Sequence, residues 1–372
     1  MAFGTSSVAA MRTAAGATRS AQSTPGAADP ITTARAGAVT PVQDVAGDLA
    51  VVGVTWPKNA VSAGDQFQIR TLTGAAWSQW ETLDADQGDG PDPAEAATAT
   101  RGTSPYVVTG ASKFEVRSLT TDQAAPTAAK VQVVDPGTSG ADDLRAAPGA
   151  AEAAAAKPVI YTRAQWGADE SLRRAAPVYG QVQLGFVHHT VSSNSYTSSQ
   201  VPAMIRGIYA YHVKAEGWND IGYNFLIDKF GNVYEGRYSR DYGGANPSGD
   251  DASGKGVTGA HTLGWNSGTV GIALLGTFTG QDVTPAARQA LESMLAWEAS
   301  RNGINPQATE PFVNPVSGAT ITSANIAGHR DYNATACPGD TFYQTLPTIR
   351  ADVAARITGS SPDTTPPTTY SG

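Results

Sequence analysis

The chain has 372 residues, a formal net charge of −8 and a hydrophobic fraction of 41%. This length predicts two or three domains, and the hydrophobic fraction is sufficient for ordinary globular cores. The acidic balance, without any Lys/Arg-rich block, argues against a nucleic-acid-binding protein, and no apolar run reaches the roughly 18 residues of a membrane span.

Residues 1–45 are rich in Ala, Thr, Ser and Gly and show no hydrophobic period, so we expect a disordered, low-complexity segment. They contain no apolar core of the kind that signal peptides carry, and no signal peptide is predicted. High Ala, Gly and Thr content with few Lys residues is typical of proteins exported by high-GC bacteria. We therefore expect a secreted or cell-wall protein.

Residues 46–135 predict a small all-β, sandwich-like domain. Residues 51–56 form an apolar run, and residues 67–70 and 114–117 alternate apolar with polar side chains, as half-buried strands do. The aromatic side chains of this domain could bind sugar or form its core. We favour the core, because large aromatic surfaces usually pack against other apolar groups.

Two tryptophans and an acidic stretch lie in the middle of this region. Residues 77–83 form another candidate strand, in which Trp77 and Trp80 are three positions apart and should face opposite sides. Residues 84–95 are rich in Gly, Pro and Asp and predict a long loop.

The second domain is expected over residues 158–357, after a linker at 136–157 and before a Ser/Thr/Pro-rich tail at 358–372. Apolar patterns predict strands at 184–191, 223–228, 233–235 and 269–275 and helices at 201–212, 285–302 and 342–357. Thr284, as an N-cap before a proline, and Gly303 predict the two ends of the middle helix. This mixture indicates an α/β domain with a mixed central β-sheet flanked by helices.

Cys337 is the only cysteine of the chain, and His329 lies eight positions before it. A single cysteine forms no intramolecular disulfide, so it is a buried apolar group, a nucleophile or a metal ligand. His188 and His189 are neighbours on a strand and point to opposite faces, so only one can enter a given site. Two histidines and one cysteine would match a catalytic zinc site, which keeps its fourth position open. The spacing alone supports a metal site and an ordinary core equally.

Several short motifs follow one another along the second domain. They are Trp166-Gly167-Ala168, Phe186-Val187-His188-His189-Thr190, Trp218-Asn219-Asp220-Ile221-Gly222-Tyr223-Asn224-Phe225, Gly231-Asn232-Val233-Tyr234-Glu235-Gly236-Arg237, Gly259-Ala260-His261, Asn266-Ser267, Val270-Gly271-Ile272, Gly328-His329-Arg330-Asp331 and Cys337-Pro338-Gly339. Together they resemble the zinc-dependent N-acetylmuramoyl-L-alanine amidase (type 2 amidase) and peptidoglycan-recognition-protein family. The resemblance implies that family's mixed sheet flanked by helices and says nothing about residues 1–157.

The resemblance also implies roles for individual residues. The implied zinc ligands are His188, His329 and Cys337, which leaves His189 a packing role. Tyr223 matches the family's catalytic tyrosine. Thr335 matches a position that is Thr in many recognition proteins and Lys in related phage amidases, and Thr is the weaker electrostatic stabiliser.

The implied activity is hydrolysis of the amide between the lactyl group of N-acetylmuramic acid and L-alanine in peptidoglycan. A zinc ion would activate water and polarise the scissile carbonyl, and Tyr223 and Thr335 would stabilise the oxyanion. The implied partners are the glycan strand and its stem peptide, bound by a monomer. Candidate substrate contacts are His212, Trp218, Arg237, His261 and Asn266.

Other interpretations remain open. A peptidoglycan sensor without turnover would share the fold, although family members that only bind commonly lack the Cys ligand. A hydrolase with Cys337 as nucleophile would need an adjacent base, and this residue does precede a predicted helix. Among the groove candidates, His212 also continues the apolar stripe of its helix, and Arg237 could form a surface ion pair. For Trp265 we favour packing over stacking on sugar.

Overall fold

The computed structural model describes residues 29–30, 39–57, 66–86, 88–93, 95, 99–119, 129–144 and 155–359. Most of the predicted disordered N-terminus and of the predicted C-terminal tail lies outside these residues. Within them, no helix is both long enough and apolar enough to cross a membrane.

The N-terminal region is built from short strands. They are β1 (Asp29–Pro30), β2 (Gln43–Asp44), β3 (Leu49–Trp56), β4 (Phe67–Thr73), β5 (Ala76–Trp77), β6 (Glu81–Leu83), β7 (Ala85–Asp86), β8 (Arg101–Thr103), β9 (Tyr106–Thr109), β10 (Lys113–Ser118) and β11 (Lys130–Val134). One sheet has the order β1-β11-β3-β8-β7, with β9 also paired to β3, and the other has the order β2-β10-β4-β5, with β6 paired to β4. Val52, Val54, Phe67 and Phe114 are buried in one apolar core. The predicted all-β, sandwich-like domain is confirmed.

The segment with two tryptophans differs from its prediction. The single strand expected over 77–83 is broken, because β5 ends at Trp77 and β6 begins at Glu81. The guanidinium of Arg70 lies 4.6 Å from the ring centre of Trp77 and 4.7 Å from that of Trp80. The rings therefore gather around one arginine and do not face opposite sides. The break in the strand removes the alternation on which the prediction depended.

The C-terminal region contains both strands and helices. Its strands are β12 (Ile160–Tyr161), β13 (Tyr179–Gly180), β14 (Leu184–His189), β15 (Phe225–Ile227), β16 (Val233–Glu235), β17 (Gly256–Val257), β18 (Thr269–Leu274), β19 (Thr309–Val313), β20 (Thr320–Ala324) and β21 (Ile326–Gly328). Its α-helices are α1 (Val201–Ala210), α2 (Pro285–Asn302), α3 (Asp340–Tyr343) and α4 (Leu346–Thr358). As predicted, α2 has Thr284 as its N-cap and Gly303 as its C-cap. The hairpin β19–β20 was not predicted.

The central sheet of this region has the order β12-β16-β15-β18-β14-β21. The β15–β16 pair is antiparallel and the other neighbouring pairs are parallel. Helices α2 and α4 pack with one face of the sheet, through a core that includes Val187, Leu291 and Val353. Helix α1 packs with the other face, through a core that includes Ile208 and Leu226. The predicted mixed sheet flanked by helices is confirmed.

The two regions share a core. Strand β3 is buried along its whole length, with Val52 in the sandwich core and Val51 in the core formed with α1. A Cβ added to Gly207 of α1 would overlap Cγ2 of Val51, so the absence of a side chain allows this close approach. The Tyr211 hydroxyl donates to the backbone oxygen of Thr103 over 3.1 Å. The β-sandwich is therefore packed directly against α1.

The predicted linker contains a described 3₁₀ turn, Gly140–Asp143. Its Asp142 forms an ion pair of 2.8 Å with Arg206 of α1. The domain boundaries at 45, 135, 157 and 357 stay predictions.

Candidate metal centre and groove

The candidate metal ligands lie at one edge of the central sheet. His188 is near the carboxyl end of β14, and His329 directly follows β21, the parallel neighbour of β14. Cys337 lies in the loop before α3. The carboxyl ends of neighbouring parallel strands meet at the same edge, where open α/β sheets form their binding crevices. All three side chains are buried.

The distances within this group fit a shared metal ion. One ligand atom from each of His188, His329 and Cys337 lies within 4.8 Å of the others. The separation between Cys337 Sγ and His188 Nδ1 is 3.6 Å. A tetrahedral zinc ion bound at the usual Zn–N and Zn–S lengths would hold its nitrogen and sulfur ligands roughly 3.6 Å apart. Two imidazoles and one thiolate are also a donor set that suits zinc.

The second nitrogen of His188 is held by another histidine. His188 Nε2 lies 3.1 Å from His261 Nδ1, which is also 3.0 Å from the Thr262 hydroxyl. Burial, with a smaller contribution from neighbouring His329, lowers the pKa of both imidazoles well below the usual value. Neutral imidazole is the form that binds metal, and a hydrogen bond to the distal nitrogen fixes its tautomer.

The sulfur of Cys337 has support from the backbone of β14. The backbone N–H of His189 donates to Cys337 Sγ over 3.4 Å. The Thr335 hydroxyl, predicted to stabilise the oxyanion, accepts a hydrogen bond of 3.1 Å from the backbone N–H of Cys337. A donor directed at sulfur favours the thiolate, which is the ligand form. The His189 imidazole is buried, and burial lowers its pKa to about 3.

Three aromatic side chains form a wall beside the metal ligands. A π-helical turn, Tyr211–Ala215, continues α1 and carries His212, whose ring stacks on Trp218 at 4.4 Å between centres. The ring of Tyr223 is 5.6 Å from that of His188 and 5.7 Å from that of His212. His212 Nδ1 accepts from the Gly222 N–H, and burial, then the charge of Arg237, lowers the pKa of this imidazole to about 3. Tyr223 therefore joins the wall to the ligand cluster.

The polar substrate candidates are buried near His188 and the aromatic wall. His261 is fully buried, and its backbone N–H donates to Asn266 Oδ1 over 2.7 Å. Arg237 is also buried and donates to the Thr258 carbonyl. Trp265, in contrast, packs against Phe312 and Tyr332, the arrangement favoured from the sequence.

An acidic segment of the β-sandwich lies against these groups, and the sequence did not assign it a role. We call residues 88–93 and 95 the acidic strap. Its Asp89 Oδ1 is 3.2 Å from His329 Nδ1, its Asp92 accepts from Asn266 Nδ2 over 2.9 Å, and its Glu95 forms a 2.6 Å ion pair with Arg237. The sequence signal for the strap was the acidic Gly/Pro-rich stretch at 84–95, which predicted only a loop.

Comparison with known families assigns both regions. The family described as N-acetylmuramoyl-L-alanine amidase matches residues 178–340, and the family described as Rv3811 N-terminal galactose-binding domain-like matches residues 12–139.

Three similar proteins are from animals. Peptidoglycan-recognition protein SC2 of Drosophila simulans is 29% identical over 51% of this chain and 85% of its own length. Peptidoglycan recognition protein 1 of Bos indicus is 30% identical over 50% of this chain and 82% of its own length. The N-acetylmuramoyl-L-alanine amidase of Homo sapiens is 34% identical over 51% of this chain and 28% of its own length.

Proposed function

The chain belongs to the family of N-acetylmuramoyl-L-alanine amidases and peptidoglycan recognition proteins, and from this premise we propose that it is a zinc-dependent hydrolase of peptidoglycan. Its proposed reaction is cleavage of the amide between N-acetylmuramic acid and L-alanine. The observation that carries the proposal is the buried cluster of ligand atoms from His188, His329 and Cys337 within 4.8 Å.

These three residues would hold the metal. When bound, zinc supplies Lewis-acid activation of a water molecule and of the scissile carbonyl. The protein supplies neutral imidazoles through burial, a supported sulfur through the His189 N–H, and a fixed orientation for both. Fixed donors of this kind keep the ligands in place without reorganisation during the reaction.

A bound metal would fix the tautomer of His188. Because Nδ1 faces Cys337 Sγ, its lone pair would be directed at the metal and the proton would be on Nε2. That Nε2–H would donate to His261 Nδ1, and the proton of His261 would then be on Nε2, 3.4 Å from the Thr269 hydroxyl. His261 thus acts as a positioning residue for the ligand His188.

Tyr223 is the proposed oxyanion donor. Its ring lies between His188 and His212, so it borders the ligand cluster. A phenol near the scissile carbonyl would donate a hydrogen bond to charge that develops on that oxygen. Thr335 is proposed to assist, although its hydroxyl already accepts from the Cys337 N–H and so supports the metal-ligand loop.

The proposed substrate is the glycan strand with its stem peptide, bound by a secreted or cell-wall monomer. Trp218 and His212 would contact apolar sugar faces, and Arg237 and Asn266 would contact polar and carboxylate groups of the stem. His261, expected from the sequence to contact substrate, is fully buried with both ring nitrogens directed at protein groups, so its proposed role is to position His188. Peptidoglycan binding without turnover is the alternative, favoured by the relatives that are named recognition proteins.

The test is mass analysis of purified muropeptides after digestion by the zinc-loaded protein. We expect release of the intact stem peptide, loss of activity with a chelator and recovery with zinc. Cys337→Ala should lower kcat/KM at least about 1,000-fold and abolish stoichiometric zinc binding, because a zinc ligand is lost. His189→Asn removes the neighbouring imidazole on the opposite strand face and is the matched control, expected to retain zinc.

Other results would contradict this proposal in distinct ways. Turnover that resists chelation would indicate Cys337 as a nucleophile. Cleavage within the stem would indicate an endopeptidase, and binding without turnover in any metal would leave a recognition protein.

A further inference from the structure

The acidic strap follows the groove over several residues. The Leu263 N–H donates to the Gly88 carbonyl over 2.6 Å, and Asn266 Nδ2 donates to the Gly90 carbonyl over 2.8 Å. A Cβ added to Gly88 would lie 2.6 Å from Asn333 Cβ and 3.0 Å from His329 Nε2. Only glycine allows the backbone to come this close to the ligand histidine. The close contact between the strap and the groove therefore depends on glycine at position 88.

Asp89 lies beside one of the proposed metal ligands. Its Oδ1 is 3.2 Å from His329 Nδ1, and its side chain is 9% exposed. This separation suits an ion pair between the carboxylate and the imidazole, and Asp89 is outside the group of three residues whose ligand atoms all lie within 4.8 Å of one another. Because Gly88 lies against the same imidazole, the strap covers the ligand histidine at two consecutive positions.

Two further carboxylates of the strap contact the proposed substrate-binding side. Asp92 Oδ1 accepts from Asn266 Nδ2, and its Oδ2 accepts from the hydroxyl and the backbone N–H of Ser267 over 2.9 and 3.2 Å. Glu95 Oε1 accepts from Arg237 over 2.6 Å and from the Asn219 N–H over 2.8 Å. A stem peptide carries carboxylates of its own, so the strap offers these donors the same chemical group as the substrate.

We propose that the acidic strap is an intrachain inhibitor that is anchored on the ligand His329 by Asp89 and occupies the stem-peptide contacts with Asp92 and Glu95. The proposal rests on the zinc-amidase function proposed above. Peptidoglycan must displace the strap before its stem peptide can reach these contacts. The strap is tethered to a β-sandwich that is packed on α1, which keeps its effective concentration at the groove high. A groove closed about 99% of the time binds substrate about 100-fold more weakly than an open one.

The first experiment measures metal binding in the full-length protein by competition between zinc and a chelator. Asp89→Asn should weaken zinc binding at least about 10-fold, because the ligand His329 loses its charged carboxylate partner. Asp44→Asn is the control, because Asp44 is an exposed sandwich carboxylate paired with Lys113. Equal zinc affinity in Asp89→Asn and the parent protein would overturn the role of Asp89. This readout needs no turnover, so it is independent of the proposed reaction.

The second experiment measures binding of a synthetic stem tripeptide that begins at L-alanine and contains no bond for an amidase to cleave. The zinc-loaded double variant Asp92→Asn/Glu95→Gln should bind it at least about 10-fold more tightly than the parent protein, and Asp44→Asn should bind like the parent. Weaker binding by the double variant would show that the strap belongs to the binding site, which contradicts inhibition.

The third experiment uses the unmodified protein and so does not depend on the folding of a variant. Hydrogen exchange of the peptide that covers residues 84–99 should rise when the stem tripeptide is added. Unchanged or slower exchange while the tripeptide is bound would overturn displacement of the strap. If the tripeptide does not bind even to the double variant, the stem-contact part of the proposal is wrong, whereas the zinc result still decides the role of Asp89.

Discussion

At the residue scale, the number of hydrogen-bond donors around a buried carboxyl group decides how well its charge is tolerated. Asp228 accepts from the backbone N–H groups of Phe230 and Asn232, from Asn232 Nδ2 and from the Tyr234 hydroxyl. Glu235, on the same hairpin, is equally buried and accepts from the Arg163 N–H over 3.3 Å. Burial raises the pKa of both carboxyl groups, and that of Glu235 reaches about 7.

The raised pKa of Glu235 predicts a pH-dependent stability. The native state holds this proton up to about pH 7, whereas the unfolded chain releases it near pH 4.5, so stability is lost as pH rises between these values. Glu235→Gln removes this ionisation. The unfolding free energy of the variant minus that of the parent protein should therefore be higher at pH 8 than at pH 4, by on the order of 2–3 kcal/mol. Urea unfolding of both proteins at the two pH values measures this difference. An equal difference in unfolding free energy at both values would contradict the prediction.

At the element scale, neighbouring side chains along a strand point to opposite faces and so enter different environments. In β14, His188 points into the ligand cluster, while Val187 joins the core with α2. In β3, Val52 enters the sandwich core while Val51 packs on α1. Both strands are buried on two faces, so each substitution affects one of two distinct environments.

The contact between β3 and α1 can be tested with a double-mutant cycle. Gly207→Ala should destabilise the protein by about 1–3 kcal/mol, although Ala favours a helix, because the added methyl overlaps Val51 Cγ2. Val51→Ala removes that methyl and by itself should cost about 1–3 kcal/mol through the cavity that it leaves. The double variant should be more stable than the sum of the two single effects by at least about 1 kcal/mol. Thermal unfolding measures all four proteins, and strict additivity would show that these groups do not compete for space.

At the scale of the whole molecule, the β-sandwich and the amidase-like region form one packed body. Val51, Val107 and Val134 of the sandwich share a core with Met204 and Ile208 of α1. The strap adds ion pairs and hydrogen bonds between the same two regions at the groove. Separation of the regions would expose the shared apolar surface to water and leave Arg237 without its Glu95 contact.

This arrangement predicts that the two regions unfold together. Calorimetry of the full chain should show a single transition, with the calorimetric enthalpy equal to the van't Hoff enthalpy. The reason is that neither region keeps its buried surface when the other unfolds. Two resolved transitions, one for each region, would contradict the shared core as a stabilising contact.

The sequence by itself predicted many of the elements and a candidate ligand set of two histidines and one cysteine. Apolar periodicity, the Thr284 cap and Gly303 are local signals, so α2 was predicted with its observed ends. Alternation on β14 showed that His188 and His189 could not share a site. The short motifs around His188, His329 and Cys337 indicated the family, because together with the other motifs they follow one another along the second domain.

Only the tertiary structure decided which groups meet across long sequence separations. The position of Asp89 beside His329, the packing of Gly207 on Val51 and the gathering of Trp77 and Trp80 around Arg70 have no local signature. Each depends on how separate elements approach one another, which is set by the summed burial of many side chains. The glycines, prolines and aspartates of residues 84–95 predicted a loop, but only the folded structure shows that this loop lies in the groove.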